Sequence, residues 1–284
     1  MSQINVNLMA DSQGGSVAPI SSVMRNRLID AGFTINQRGY VSGVALSSGS
    51  YGHDRFKGGA SGGTYTFTQL STGVPISITI TAGSIMQVIE GANMPEGGTY
   101  VLSWTGTAQA KFNGGAFGAS PLAVTGIVAG ANTTIEFGTG TCSFPQLEKG
   151  TQASGFEYRQ FGQELALCQR YFCKTFNITT TPVANTQNTG SLIGKGNCAS
   201  DIEPFVNWQT PVELRTAPTV TLFAINNSVS AGNQWTNAAA VATSNARAGG
   251  IGLGTRIIQI DNTGIQSGSA GAQLYIQATA SAEL

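Results

Sequence analysis

Short stretches in which every second residue is apolar constrain the fold of this chain more than any other feature. Ile76, Ile78 and Ile80 follow this period, and Tyr65 and Phe67 follow it in the stretch before them. Successive side chains of a β-strand point to opposite faces, so the period predicts strands with one buried face and one exposed face. The 38 glycines among 284 residues fit a chain of many short strands joined by turns. The sequence therefore predicts an all-β protein.

The same alternation recurs through the first half of the chain. Tyr100, Leu102 and Trp104 alternate with smaller residues, which places Trp104 in the predicted core. Two further strands fit residues 122–128 and 133–137. Roughly eight strands, spaced by about 8 to 15 residues and separated by turn signals, are typical of a β-sandwich of the jelly-roll kind.

A first core strand is predicted from Leu28 to Arg38. Phe33, Ile35 and Gln37 alternate there and would share one face. The residues before it are polar, contain glycine and proline and show little periodicity. Such a segment predicts an arm that docks on another molecule.

A second, smaller β-unit is predicted in the last third of the chain. Apolar alternation returns at Val220 and Leu222, in the run TRIIQI, and at Leu274 and Ile276. The predicted fold is thus a jelly-roll β-sandwich followed by a smaller β-sandwich, with a short helical linker between them. The predicted boundaries are a docking arm at 1–24, the jelly roll at 25–160, the linker at 161–175 and the C-terminal β-domain at 176–284.

Residues 144–172 stand out because they concentrate charge and aromatic side chains. Charged residues are only 10% of the chain, yet this window contains Glu157, Arg159, Glu164 and Arg170, followed by the aromatic Tyr171. Such a segment predicts a junction between domains or subunits. Glu157 and Arg159 are two residues apart and can pair with each other or with a neighbouring chain. Glu164 to Arg170 predicts a short helix with Leu165 and Cys168 on one side.

The charge balance excludes several classes of partner. Fourteen Lys and Arg residues balance fourteen Asp and Glu residues, and no basic stripe is present, so binding to nucleic acid is not expected. No apolar run approaches the roughly 20 residues that span a bilayer, so membrane insertion is not expected either. The first residues lack the pattern of a secretory signal, and export by the general secretory route is not predicted.

Residue types that carry catalysis or bind metals are sparse. His53 is the only histidine and is followed by Asp54, and we interpret it as a surface or loop residue rather than a catalytic one. The cysteines form no C-x-x-C pair and are interpreted as free thiols, which predicts neither a zinc site nor a cofactor. They are Cys142, Cys168, Cys173 and Cys198.

Paired carboxylates are the remaining route to an enzyme. A glycosidase needs two carboxyl groups roughly 5 to 10 Å apart, and the sequence leaves open whether any two glutamates meet that spacing. We interpret most of them as partners in salt bridges or turns and predict no enzyme. The candidates are Glu90, Glu136, Glu148 and Glu157.

Trp235 is the aromatic residue with the strongest signal for ligand binding. It lies in the run NNSVSAGNQWTNAAA, which is rich in turn-forming residues and predicts an exposed loop. An exposed aromatic in such a loop is suited to binding a sugar ring or a protein surface. The alternative is an aromatic that folds back over the sheet, and the sequence leaves both open.

The window 144–172 also resembles a segment of phage and prophage virion proteins. In that segment a strand ending in Q-L-E-x-G is followed by F-E-x-R-x-x-G-x-E-L-x-x-C-Q-R-Y. The residues that match are Gln146, Leu147, Glu148, Gly150, Phe156, Glu157, Arg159, Gly162, Glu164, Leu165, Cys168, Gln169, Arg170 and Tyr171.

Three further segments resemble the same group. They are NRLIDAGFTINQRG at 26–39, YGHDRF at 51–56, where Phe56 replaces a tryptophan, and QVIEG at 87–91 before TYVLSW. The resemblance implies a jelly roll similar to a carbohydrate-binding module, followed by a C-terminal β-domain like that of tail-fibre and related particle proteins. It fades before Arg25 and after Phe176.

The resemblance implies a role in the virion, assembled in the host cytoplasm. The expected protein is a non-enzymatic fibre or appendage of the tail or the head, attached to other virion proteins through its N-terminal arm. It would be a homotrimer and would contact the host surface, where a glycan is one possible receptor. The alternatives are a soluble glycan-binding module and a polysaccharide depolymerase.

Overall fold

The computed structural model shows a chain that is mostly β-strand. It describes residues 24–71, 73–184, 190–195, 205–225, 234–237, 242–262 and 273–284. Within these ranges fifteen strands form two sheets, and one α-helix lies between them in sequence. The all-β prediction is confirmed.

The first sheet contains seven strands in a nearly closed, barrel-like sandwich. The strand order is β4-β6-β2-β7-β3-β5, and β1 pairs with β2. A short 3₁₀ helix, Gly91–Asn93, follows β2. The strands are β1 Lys57–Phe67, β2 Ile78–Ile89, β3 Gly98–Thr105, β4 Ala110–Phe112, β5 Leu122–Ile127, β6 Thr133–Phe137 and β7 Gly140–Lys149.

Strand β7 lets the sheet curve over its own core. Its first residues pair with β2, where Cys142 lies opposite Ile78, and its later residues pair with β3, where Leu147 lies opposite Leu102. Phe144 lies at the change of partner with a φ of 54°, in the left-handed region that non-glycine residues rarely adopt. The alternating inward residues of these strands form one buried cluster. Trp104 belongs to it, as its place in the pattern predicted.

The predicted first strand from Leu28 to Arg38 is wrong. This segment consists of bends and turns, with Asp30 at a φ of 55° and Phe33 at 52°. The Asp30 carboxylate accepts hydrogen bonds from the N–H groups of Thr34, at 2.7 Å, and Ile35, at 2.9 Å. Short acidic side chains that bond to nearby backbone favour turns over strands. The residues predicted to face inward are nevertheless all buried.

The second sheet contains eight strands and is organised around its last one. Strand β15 pairs with β8, β9, β11 and β12, and β13 and β14 extend the sheet to β10. Residues 172–174 were predicted as linker but form the first strand of this sheet. The strands are β8 Phe172–Lys174, β9 Leu192–Lys195, β10 Val206–Gln209, β11 Thr219–Phe223, β12 Gln234–Asn237, β13 Ala242–Leu253, β14 Ile257–Asn262 and β15 Gln273–Ser281.

The predicted helix is present as α1, Phe161–Gln169. Cys168 is buried and Leu165 is half-buried, and both pack against Ile29, Ile35 and Tyr171. This apolar cluster joins the segment that precedes β1 to the helix. Within the described ranges, no helix is both long and apolar enough to cross a membrane.

We expect Gly91→Ala to destabilise the first unit by about 1–3 kcal/mol, because added core volume forces backbone shifts. A Cβ atom at Gly91 would lie 1.9 Å from the carbonyl oxygen of Gly130, which is backbone and cannot rotate away. Urea denaturation measures the change. Gly155→Ala is the matched control, since a Cβ there would meet nothing within 4 Å. Equal stabilities of the two variants would contradict this packing.

Candidate functional site

Glu157 holds the start of the described chain. Its carboxylate accepts hydrogen bonds from three successive backbone N–H groups, those of Met24, Arg25 and Asn26. The bond from Arg25 is 3.0 Å long and the bond from Asn26 is 2.9 Å long. Bonds from N–H groups to a carboxylate are charge-assisted and stronger than neutral ones. Glu157, a predicted junction residue, thus holds the backbone of residues 24–26 against the fold. Residues 1–23 lie outside the described residues.

The end of β7 positions Glu157. Gln146 accepts a hydrogen bond from the Glu157 N–H at 2.7 Å and donates to Glu148 at 2.9 Å. Glu148 in turn accepts from the backbone N–H and hydroxyl of Ser154. Gly150 follows β7 with a φ of 130°, in the region that favours glycine. The Q-L-E-x-G residues therefore fold the chain back so that Glu157 reaches the segment that precedes β1.

Arg159 completes this clamp. Its guanidinium donates to the main-chain oxygens of Leu28, at 3.0 Å, and Asn26. It also lies 3.2 Å from the Glu164 carboxylate and 3.6 Å from that of Glu157. Glu164 lies in the first turn of α1 and accepts the N–H of Asp30. We call Glu157, Arg159 and Glu164 the entry clamp. Its contacts are made within one chain.

Asp30 lies beneath the entry clamp and is fully buried. Burial, together with the negative charges of Asp54 and Glu164, raises the pKa of its carboxyl well above the ordinary value. One carboxyl oxygen accepts the turn hydrogen bonds, and the other has no hydrogen-bond partner. A carboxyl group in such surroundings favours its neutral form.

Arg170 and Tyr171 meet Glu90 from the far end of α1. The Tyr171 hydroxyl donates to Glu90 at 2.8 Å, and the Arg170 guanidinium lies 3.1 Å from it. Burial opposes ionisation, but these two hydrogen bonds hold the pKa of Glu90 below its ordinary value. Glu157, Arg159, Glu164, Arg170 and Tyr171 thus all form hydrogen bonds or ion pairs around α1 and the segment before it. Arg170 is the most exposed of the predicted charged ones, at 37%.

A second ionic cluster, which sequence reasoning missed, joins the two β-units. Arg55 is 1% exposed and donates to Glu283, just beyond β15, and to the Val88 carbonyl oxygen at 2.7 Å. Arg38 bridges Glu283, at 2.9 Å, and Asp54, at 3.1 Å. We call Arg38, Asp54, Arg55 and Glu283 the inter-unit cluster. Arg55 and Asp54 belong to the motif YGHDRF, but no local signal identifies Glu283 as the partner of Arg55, 228 residues away.

Aromatic rings and further hydrogen bonds complete the inter-unit cluster. The Arg55 guanidinium lies 3.6 Å from the centre of the Tyr171 ring, a cation–π contact. Burial raises the pKa of Asp54 to about 6, although Arg38 and Gln37 act in the opposite direction. Burial lowers the pKa of Lys174 to about 8, and its ammonium donates to three main-chain oxygens. This arrangement links residues of the first β-unit to Glu283, just beyond β15.

His53 lies in a turn, as predicted, but it is buried rather than on the surface. Its ring packs among aromatic side chains, and its Nε2 lies 3.4 Å from the Gln69 side-chain oxygen. Its Nδ1 lies 2.9 Å from the Tyr65 hydroxyl oxygen. Burial lowers the pKa of His53 to about 4. The ring is a neutral core residue.

The other candidates for chemistry have structural roles. Glu90, Glu148 and Glu157 serve the contacts described above, and Glu136 pairs with Lys111 at 3.1 Å. Cys142, Cys168 and Cys173 are buried free thiols whose pKa burial raises; Cys198 lies outside the described residues. Among the residues that the structure describes, no three metal-ligating side chains cluster to hold an ion.

The prediction that Trp235 is exposed in a loop is wrong. It lies in β12 opposite Ser244 of β13. Its side chain is completely buried in the apolar cluster formed by the strands of the second sheet. Its indole N–H donates to the Asp261 carbonyl oxygen at 3.1 Å. A side chain at Gly194 would lie 3.1 Å from the ring, so this glycine makes room for it. Burial of a large aromatic face outweighs the turn preference of its neighbours. Trp235 therefore offers no surface to a ligand.

We expect Arg159→Ala to lower the free energy of unfolding by about 3–5 kcal/mol, because it removes the cation that pairs with the Glu164 and Glu157 carboxylates and the donor to two main-chain carbonyl oxygens. Urea denaturation measures the loss. Lys149→Ala is the control: Lys149 forms a surface pair with Glu96 that is worth about 1 kcal/mol or less. A loss for Arg159→Ala no larger than that of the control would contradict the entry clamp.

We expect the stability of the wild-type protein to fall, relative to His53→Asn, as the pH decreases from about 6.5 to about 4. A histidine with a lowered folded pKa binds its proton more readily in the unfolded state, so acid favours unfolding across that window. The difference is on the order of 3 kcal/mol, from about 1.4 kcal/mol per pKa unit. Denaturant titrations of both proteins at several pH values measure it. Parallel pH profiles would show that His53 does not titrate in this range.

Comparisons with protein-family models, with curated proteins and with solved structures find no match to this chain. Its function therefore has to be inferred from the geometry of its own residues.

Proposed function

We propose that this protein is a structural component of a bacteriophage particle, a fibre or appendage that takes part in attachment to the host surface. One observation carries the proposal. The residues through which the sequence resembles virion proteins, Glu157, Arg159 and Glu164 among them, are those that form the entry clamp. Part of the resemblance therefore lies in residues that contact one another in the entry clamp, rather than in scattered positions.

The joint suits a part that must keep its orientation. The inter-unit cluster ties the first β-unit to residues just beyond β15, and Tyr171 contacts both Arg55 and Glu90. Arg55 and Asp54 are buried and each is paired with an opposite charge, so bending between the units would leave buried charge unpaired at a cost of several kcal/mol. A fibre or appendage needs such rigidity between its attached end and its outward end.

The predicted docking arm, residues 1–24, ends at the entry clamp. Glu157 fixes the backbone N–H groups of Met24 to Asn26 there, which gives the arm a rigid anchor on the fold. We propose that the arm docks on other virion proteins of the tail or the head, and that the protein is a homotrimer. The junction residues already have hydrogen-bond or ionic partners, so we place the proposed trimer contact on other surfaces.

A soluble glycan-binding module is the second candidate. It is favoured by a polar cleft with an exposed aromatic residue on the first sheet, lined by Phe117 and Glu136 among others. Glycan binding and virion attachment are compatible, because an appendage that recognises a host-surface glycan does both. A protein that binds glycans but is absent from particles would support the module alone.

We expect mass spectrometry and immunogold labelling of purified particles to find this protein, and light scattering of the purified protein to give three times the chain mass of 29.3 kDa. Particles assembled with a variant lacking residues 1–23 should lose the protein, because the docking arm is removed. The variant's unfolding transition is the control that it still folds. Absence of the wild-type protein from particles would overturn the proposal. Labelling at the tail or at the head decides its place.

A further inference from the structure

We propose that a cleft on the outer face of the first sheet binds an uncharged saccharide. It deepens the proposed attachment function, on which it rests, by assigning the receptor chemistry to named residues. The cleft has a volume of about 490 Å³, within the range of about 300–1,000 Å³ typical of ligand sites. Its lining consists of one aromatic side chain, Phe117, together with hydroxyl, amide and carboxylate groups and two glycines.

The strand register brings the polar groups to one face. Glu136 of β6 lies opposite Lys111 of β4 on one side and Met86 of β2 on the other. Directly opposed residues of neighbouring strands point the same way, so these side chains share the face that turns away from the core. Ser84, two residues before Met86, points to that face as well and donates to Glu136 at 2.6 Å.

Glu136 is a preorganised acceptor. One carboxylate oxygen accepts from Ser84, the other pairs with Lys111 at 3.1 Å, and each retains a lone pair for a ligand hydroxyl. Lys111 balances the charge of Glu136, so the cleft carries no net charge from this pair. A phosphate or polyanion would meet a carboxylate there, whereas the hydroxyl groups of an uncharged sugar can both donate and accept. Gln109 and Thr107 add further amide and hydroxyl groups to the lining.

Phe117 supplies an apolar surface at the cleft. The residue is 42% exposed, and the Lys111 ammonium lies 4.5 Å from the centre of its ring. The next residue, Gly118, is fixed to β4 by two hydrogen bonds with Ala110, at 2.8 and 2.9 Å. Because the backbone beside Phe117 is fixed, presenting the ring costs little backbone entropy on binding, and the ring can pack against the apolar face of a pyranose.

Gly138, in the lining, and Gly59, beside Ser84, leave room for the side chains of the cleft. A Cβ atom at Gly138, which lines the cleft, would lie 3.3 Å from the Phe117 ring. A Cβ atom at Gly59 would lie 2.0 Å from the Ser84 hydroxyl oxygen and 3.1 Å from the Glu136 carboxylate. A side chain at Gly59 would displace the Ser84 hydroxyl that donates to Glu136, and one at Gly138 would press on the edge of the Phe117 ring. The combination of a fixed ring, a satisfied carboxylate and small neighbours is a built binding site rather than a random surface hollow.

The test measures binding of the full chain to a panel of immobilised neutral oligosaccharides from bacterial O-antigens and capsules, with each hit repeated by calorimetry in solution. We expect Phe117→Ala to weaken binding of a hit at least about tenfold, as truncation of a central aromatic anchor does. Phe117→Trp should retain binding, because it keeps an aromatic face. Glu136→Gln, which keeps the shape and removes the charge, should weaken binding about fivefold or more.

Tyr158→Ala is the matched control, since Tyr158 is an aromatic residue, 69% exposed, that does not line the cleft. It should bind like the wild type. No binding to any panel member, or equal binding by Phe117→Ala and the wild type, would overturn the proposal. Detection in particles is read separately: a virion protein that binds no saccharide removes this cleft alone, and a saccharide binder absent from particles removes the virion role alone.

Discussion

The ion pair between Arg55 and Glu283 connects the two β-units of the described chain. The arginine is buried, and an arginine out of water costs several kcal/mol unless its charge is paired and its N–H groups are bonded. Glu283 supplies the charge, the Val88 carbonyl oxygen accepts a second N–H group, and the Tyr171 ring covers the guanidinium. These partners come from both units and from the end of α1. The charge of Arg55 therefore keeps these partners only when both units and the end of α1 are in their observed places.

This ion pair shows how a chain with few charged residues can still specify the arrangement of its two β-units. A buried ion pair often contributes little net stability compared with apolar residues of the same size, but breaking one is costly. Its effect is to select one arrangement of the chain among compact alternatives. The entry clamp acts in the same way, because Arg159 reaches backbone oxygens that are available only when residues 24–30 lie against β7. The scarce charges thus define geometry, while the apolar clusters supply most of the driving force.

The sequence predicted what depends on local periodicity and missed what depends on distant partners. Strands β5, β6 and β11, the helix α1 and the core position of Trp104 follow from patterns of a few residues. The segment from Leu28 to Arg38 had the right burial pattern, yet Asp30 turned its backbone away from a strand.

Long-range contacts explain the remaining errors. The position of Trp235 was wrongly predicted because its neighbours in sequence favour a loop. The apolar cluster that buries Trp235 is assembled only by the fold, from residues distant in sequence. Glu283 gave no signal because its partners lie 228 and 245 residues away. His53 was placed correctly in a turn, but the aromatic rings that bury it come from other parts of the chain.

Recognition of a partner needs polar groups that are positioned but not saturated. In the joint, Glu157 already accepts three N–H groups and Arg159 is engaged on several sides, so neither can change partners without loss of the fold. Glu136 differs, since it is held by Ser84 and Lys111 and still borders an open cleft. The charges that hold the joint are therefore separate from the cleft proposed to bind a saccharide. Substitutions at Phe117 leave the hydrogen bonds and ion pairs of the joint unchanged.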